Sequence, residues 1–212
     1  LEHYAAFNVS RASVAGYKDL LKDEFKHALV VPDDMRSMIG VANLLQGQSL
    51  NTTEPAVLEK SKQLLLELQP QIKVYDSDSP KTLLINGEVT AGIVWGAEAY
   101  LANQENPAIQ TVLAEEGMEL FQDNFVIPKG APHKKNAELF IDFILRPEIS
   151  AEISKEFPYA NPNVAAHHLI DPQVLNDPAV YIPADAMKRG EYMTALGEAT
   201  KIYDRIWSEV KQ

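Results

Sequence analysis

The chain has 212 residues, 46% of them apolar and 23% charged, enough to bury roughly 70% of its unfolded surface without disulfide or metal staples. Nineteen basic against thirty acidic residues leave a formal net charge of −11, which excludes a phosphate backbone or an anionic lipid surface as partner unless a local basic patch overrides the field, and no such patch is visible. Cysteine is absent, which excludes disulfides and thiolate metal sites, and no stretch approaches the ~20 apolar residues of a membrane span.

In chain order, Tyr4–Val9 reads as a short strand and Ser13–Phe25 as a polar helix with Tyr17, Leu20 and Leu21 on one side. His27–Val31 is an apolar strand ending at Pro32-Asp33-Asp34. Met35, Met38, Ile39, Ala42 and Leu45 then recur at helical spacing as far as Gly47. Asn51-Thr52-Thr53-Glu54-Pro55 starts a helix that shows Val57, Leu64, Leu65 and Leu68 inward and stops before Pro70. Ile72–Tyr75 is a strand, Asp76-Ser77-Asp78-Ser79-Pro80 a turn-rich loop, and Thr82–Ile85 an apolar segment closed by Asn86-Gly87. Val89–Tyr100 carries an apolar strand into Trp95, a Gly turn and a helix. Ligands gather outside the carboxyl ends of strands in open α/β sheets, so Trp95 is a candidate ligand contact; the alternative is a core plug beside the turn.

Ile109–Leu113 is a further strand, Glu115-Glu116-Gly117 a turn, and Asn124–Ile127 a strand closed by Pro128-Lys129-Gly130. Lys134–Leu145 is an amphipathic helix with Ala137, Phe140, Ile141 and Ile144 on one face. Arg146-Pro147 ends it and opens a second helix to about Phe157. Short helical turns near Asp171 and Ala184 precede a long helix from about Tyr192 to Lys211. Strands alternating with helices make the fold class α/β.

Asp33 and Asp34 stand at a helix N-terminus, where unpaired N–H groups stabilise a carboxylate. Only one can be the N-cap, and the same physics holds a carboxylate ready for an ammonium group. Asp123 is either a loop residue in water or a buried anion that needs a cationic partner. Tyr159, in a rigid turn with Asn161-Pro162-Asn163, is either core or cleft. Asp76–Ser79 resembles a calcium loop only loosely and reads as a turn. The five His residues fall into no HxxH or HExxH spacing, so neither a metal site nor a cofactor is expected. There is no GxSxG, phosphate-cradling Gly loop or nucleophile-plus-base spacing to support an enzyme, and acidic pairs that could serve a glycosidase leave that reading open.

Eight motifs in order carry a resemblance: Val31-Pro32-Asp33-Asp34-Met35-Arg36, Asn51-Thr52-Thr53-Glu54-Pro55, Ser77-Asp78-Ser79-Pro80, Gly87-Glu88-Val89 with Val94-Trp95, Asp123 with Ile127-Pro128, Leu145-Arg146-Pro147-Glu148, Tyr159 with Asn161-Pro162-Asn163-Val164-Ala165-Ala166, and Gly190-Glu191-Tyr192. From about Phe7 to the C-terminus the chain resembles the spermidine/putrescine-binding proteins of bacterial ABC transporters. The resemblance implies a two-lobed, type II periplasmic-binding-protein-like architecture that closes around a linear polyamine and delivers it to the permease. It places the protein in the periplasm or outside the cell. It also implies that Asp34 and Asp123 pair with ligand ammonium groups and that Trp95 and Tyr159 line the cleft, a suitable wall for methylene chains with charged ends. Three positions depart from the family pattern: Ser37 where a second acid is frequent, Phe121 where a Trp is frequent, and Met193 where a Gln follows the aromatic.

The resemblance divides the chain into a second lobe over 10–122, a return segment of the first lobe over 123–158, and C-terminal helices over 159–212 that pack back on the second lobe. A segment that builds most of the first lobe in the family precedes the region matched here. The chain is therefore expected to be a piece of a longer one, with Phe140, Ile141 and Ile144 left as a face for self-association or another polypeptide. Leu1-Glu2-His3-Tyr4 has no signal-peptide pattern, consistent with a cytosolic chain or a mature exported one. The alternatives are a binding protein for another small cationic or neutral solute, an enzyme on such a substrate, and a fragment without a competent cleft.

Overall fold

The structure, a computed structural model, describes residues 3–8 as backbone and residues 14–212 with their side chains. Five strands form one sheet in the order β3-β2-β4-β1-β5: β1 His3–Asn8, β2 Leu29–Val31, β3 Ile72–Tyr75, β4 Ala91–Trp95 and β5 Ile109–Val112. Strand β2 runs parallel to β3 and β4, while β1 is antiparallel to both β4 and β5. The parallel strands are linked by helices, with α1 Met35–Leu44 and α2 Pro55–Leu68 between β2 and β3, and α3 Pro80–Ile85 between β3 and β4. Helix α4, Gly96–Glu105, leads from β4 to β5.

The period-2 geometry of strands divides the core. Leu29, Val31, Ala91 and Ile93 face α1, α2 and the C-terminal helix α9 (Thr200–Val210), whereas Val30 and Val94 face the cluster that holds Leu84, Ala99 and Ala102 of α3 and α4. Helices therefore cover both faces, which is why these strands read as continuous apolar runs rather than alternating ones. Between β2 and β4 the chains approach so closely that a Cβ at Gly92 would lie 2.5 Å from Val30 Cγ1 and 2.8 Å from the Val30 carbonyl oxygen. Helix α9 seals the first face with Tyr203, Ile206 and Val210, and the Tyr203 hydroxyl donates to the Thr52 carbonyl at 2.8 Å.

A small parallel pair, β6 Met118–Leu120 and β7 Gly190–Tyr192, lies beside this layer. Helices α5 Lys134–Ile144 and α6 Pro147–Glu156 follow β6, and the short α7 Pro172–Leu175 and α8 Ala184–Met187 precede β7.

Several expectations are corrected. The expected helix over Ser13–Phe25 is two 3-10 turns, Tyr17–Leu21 and Asp23–Phe25. The Glu116 carboxylate takes the N–H groups of Tyr17 and Lys18 at 3.1 and 3.0 Å, and Asp19 takes that of Ala15 at 2.8 Å, so side chains replace a regular helix start. Ser13 itself, Val9 at the end of the expected first strand, and the domain boundary placed at residue 10 lie outside the described residues. Strand β2 begins only at Leu29 because His27 adopts φ 52°, in the left-handed region. Asn124–Ile127 is not a strand: no neighbouring strand pairs with it among the described residues, and Phe125 and Val126 are exposed. The segment Thr82–Ile85 is helical. The long helix expected from Tyr192 starts at Thr200, since Tyr192 ends β7 and Gly197, at φ 56°, interrupts the run.

Candidate functional site

Because β2, β3 and β4 are parallel neighbours, their carboxyl ends open on one sheet edge. That edge carries Pro32-Asp33-Asp34 after β2, the Asp76–Ser79 loop after β3, and Trp95 at the end of β4. Asp34 is the N-cap of α1, and its Oδ1 accepts from the Ser37 N–H at 2.7 Å and from the Ser37 hydroxyl at 2.8 Å. Asp33 is not the cap. It receives Lys211 Nζ at 2.9 Å, and that ammonium lies 3.8 Å over the Tyr75 ring.

The Asp76 carboxylate accepts from the N–H groups of Asp78 at 2.8 Å and Ser79 at 3.1 Å, so the loop is an Asx turn. Its neighbour Ser77 joins the two other loops. The Ser77 hydroxyl accepts from the Asp33 N–H at 2.9 Å, and its carbonyl accepts from Trp95 Nε1 at 3.0 Å. The indole is thus aimed by the β3 loop rather than by its own helix. It is partly exposed and meets Phe121 edge to face, with centroids 5.2 Å apart and planes at 77°.

Phe121 and Met193 are delivered together, since Leu120 of β6 pairs with Tyr192 of β7 and each is the next residue. Two residues on, Asp123 is exposed and shares with Tyr159 the rim of an open hollow of about 430 Å³, whose apolar wall includes Phe125, Ile144, Ile153 and Phe157. Tyr159 is half-buried. Burial first, then the charges of Glu98 and Asp123, push its phenol up to about 12, so it is a neutral hydrogen-bonding group at any physiological pH.

Not every candidate converges. Ser37 and Met193 do not line that hollow; they line a separate cavity of about 10 Å³ with Tyr17, Arg36 and Glu119, and the Ser37 hydroxyl is committed to Asp34. Glu98 was not read from the sequence as a site residue. Its signal is its place in the first turn of α4, three residues after Trp95, which puts it on the same end of the helix. The Glu98 carboxylate holds Lys81 Nζ at 2.7 Å. Among the described residues no group of three or more His, Asp or Glu could hold a metal ion.

A parallel sheet with helices on both faces, crossed by one antiparallel strand and ending in an edge of carboxylates and aromatics, defines a class. A solved spermidine/putrescine ABC transporter protein from Listeria monocytogenes matches with a TM-score of 0.93 at 26% identity, over 100% of this chain and 66% of its own, and the fold is that of type II periplasmic binding proteins. Residues 4–182 match the model of the bacterial extracellular solute-binding proteins, and the chain belongs to that family. It is 34% identical over 203 residues to the spermidine/putrescine-binding periplasmic protein of Escherichia coli K12, and 33% identical over 199 residues to that of Salmonella typhimurium. These alignments cover 96% and 94% of this chain but only 58% and 57% of the two relatives.

Proposed function

We propose that this chain is part of the solute-binding component of an ABC transporter, that it takes a linear polyamine at the sheet edge, and that it delivers the polyamine to a permease outside the cytoplasm. The observation that carries the reading is the pairing of Asp123 with Tyr159 on one hollow, a few residues from the edge-to-face Trp95–Phe121 pair. A carboxylate supplies the partner that a dehydrated ammonium requires, and aromatic faces accept both the methylene chain and the charge. Asp34, held at the N-terminus of α1, is the second ammonium partner in this reading; Ser37 positions its carboxylate, and Met193 packs behind rather than touching ligand. A net charge of −11 favours the approach of a polycation.

In the same reading residues 10–122 form the second lobe, 123–158 are a return segment of the first lobe, and 159–212 pack back on the second. Support for the return segment comes from α5, which has no buried residue, and from the Phe125–Phe140 ring contact at 6.2 Å. That surface, with Phe140 beside Ile141 and Ile144, takes either the remainder of a first lobe or a second copy of the chain.

Calorimetric titration of the protein as its gene encodes it, with putrescine and spermidine, tests the proposal. Asp123→Ala is expected to cost about 2–5 kcal/mol of binding by stranding an ammonium group. An unaltered affinity removes Asp123 from the site. Binding of neither polyamine sinks the proposal, and recovery of a chemically altered ligand would make the protein an enzyme instead.

A further inference from the structure

Tyr75 ends β3 in register with Val31 of β2, so Asp33, two residues past Val31, leaves the sheet beside it. The last turn of α9 reaches the same place with Trp207 and Lys211, four residues apart and therefore on one helix face. The rings of Tyr75 and Trp207 meet edge to face, with centroids 5.9 Å apart and planes at 84°, and make two walls of a cage whose third wall is the Asp33 carboxylate. An ammonium group fills it. Lys211 Nζ lies 2.9 Å from Asp33 Oδ1, 3.8 Å from the Tyr75 ring centroid and 5.4 Å from that of Trp207. The neighbouring acids are engaged within their own loops, Asp34 by Ser37 and Asp76 by the N–H groups of Asp78 and Ser79. None of the residues of the cage lines the hollow of Asp123 and Tyr159, so it is a separate place on the molecule.

Two aromatic rings and a carboxylate converging on one cation are the surroundings that recognise an alkylammonium ion. The present occupant is held loosely. The side chains of Asp33 and Lys211 are 51% and 31% exposed, and an ion pair so open to water contributes little, so Lys211 is released at small cost. The walls are fixed independently of it: the Asp33 N–H donates to the Ser77 hydroxyl at 2.9 Å, and Tyr75 and Trp207 both pack against the main core. We infer that Asp33, Tyr75 and Trp207 form a binding site for a primary alkylammonium ion, and that Lys211 occupies it as a tethered competitor. The site takes one ammonium group and the first methylenes of its chain, as Lys211 itself presents them. This goes beyond the polyamine reading and does not depend on it, since a monoamine suffices.

The test is titration of the protein as its gene encodes it with n-butylammonium chloride, followed by the NMR signal of the Trp207 indole N–H, which Trp207→Phe assigns. Sodium chloride at equal ionic strength is the control, because an exposed ion pair also responds to screening. Lys211→Ala, Lys211→Gln and the double variant Lys211→Ala/Asp33→Asn are titrated alongside. The wild type is expected to show a saturable shift that sodium chloride does not reproduce. Both Lys211 variants should bind about fivefold more tightly, since removing a weak latch raises the fraction of open sites by about that factor. Asp33→Asn should abolish the shift. A wild-type Trp207 signal that does not respond saturably, or that responds equally to sodium chloride, overturns the inference without recourse to any variant. An affinity unchanged in both Lys211 variants removes Lys211 as competitor and overturns it as well. A response confined to the Trp95 indole does the same while leaving the polyamine reading intact, and failure of putrescine and spermidine to bind at Asp123 leaves a positive result at Trp207 standing.

Discussion

Helices α5 and α9 are both eleven residues long and both amphipathic, yet they end in opposite surroundings. On α9, Tyr203 and Ile206 are 0% and 1% exposed, buried against Leu58, Leu65 and the sheet; on α5, Phe140 is 55% exposed and no residue is buried. An apolar stripe at helical spacing identifies a face that needs covering. It does not identify what covers it, because the pattern is local and the partner is not.

The comparison can be broken most directly by trimming each face. Ile206→Ala opens a cavity in a closed core and is expected to lose about 2–5 kcal/mol of stability in denaturant unfolding. Loss below about 1 kcal/mol would mean that α9 is no better packed than α5.

Between these extremes lies α6, whose contact with the Tyr159 turn is mostly polar. Asn161 Nδ2 donates to the Ser150 carbonyl at 3.0 Å and to the Ser154 hydroxyl at 2.8 Å, and Asn161 Oδ1 accepts the Asn163 N–H at 2.9 Å. Asn161→Ala strands these groups and is expected to cost about 1–3 kcal/mol. Hydrogen exchange should show faster opening over 147–169, with the five-stranded sheet unaffected.

A smaller effect comes from alkaline pH. The phenol of Tyr159 is raised, so the fold favours its protonated form, while an unfolded tyrosine ionises near 10. Its contribution to stability is complete below pH ~10 and is lost as pH climbs toward about 12. Tyr159→Phe should flatten that part of the stability profile, measured by thermal unfolding across pH 9–12. An unchanged profile would mean that the phenol is not held by burial and by the charges of Glu98 and Asp123.

The smallest effect on stability belongs to α5. Phe140→Ser should change unfolding stability by no more than about 0.5 kcal/mol while weakening self-association in sedimentation experiments. A core-sized loss would show that this face is packed within the chain.

The central layer was legible because its strands are apolar runs bounded by Pro, Gly and Asp, and its helices keep a 3.6-residue repeat. The strands β6 and β7 were not, because each is three residues long and its pairing partner lies about seventy positions away. Asn124–Ile127 failed in the opposite sense. Phe125-Val126-Ile127 has strand-forming residues, but a strand needs a neighbour to take its N–H and C=O groups, and none pairs with it among the described residues. In the candidate site, Trp95 and the Asp33-Asp34 junction could be placed at strand ends from periodicity alone. The hold of Ser77 on the indole and the action of the Glu98 charge on the Tyr159 phenol each join residues distant in the chain, so no local pattern carries them, whereas the cap is a local Asp34–Ser37 contact whose choice over Asp33 depended on backbone geometry.

The sequence by itself determined the α/β class and which residues stand at the strand ends, since propensity and periodicity act over a few residues. Tertiary structure alone decided which carboxylates at the sheet edge are paired with the chain's own lysines. Lys81 meets Glu98 and Lys211 meets Asp33 only when α3, α4 and α9 are brought to one edge of the sheet, and charge pairing depends on distance in space rather than on separation in sequence.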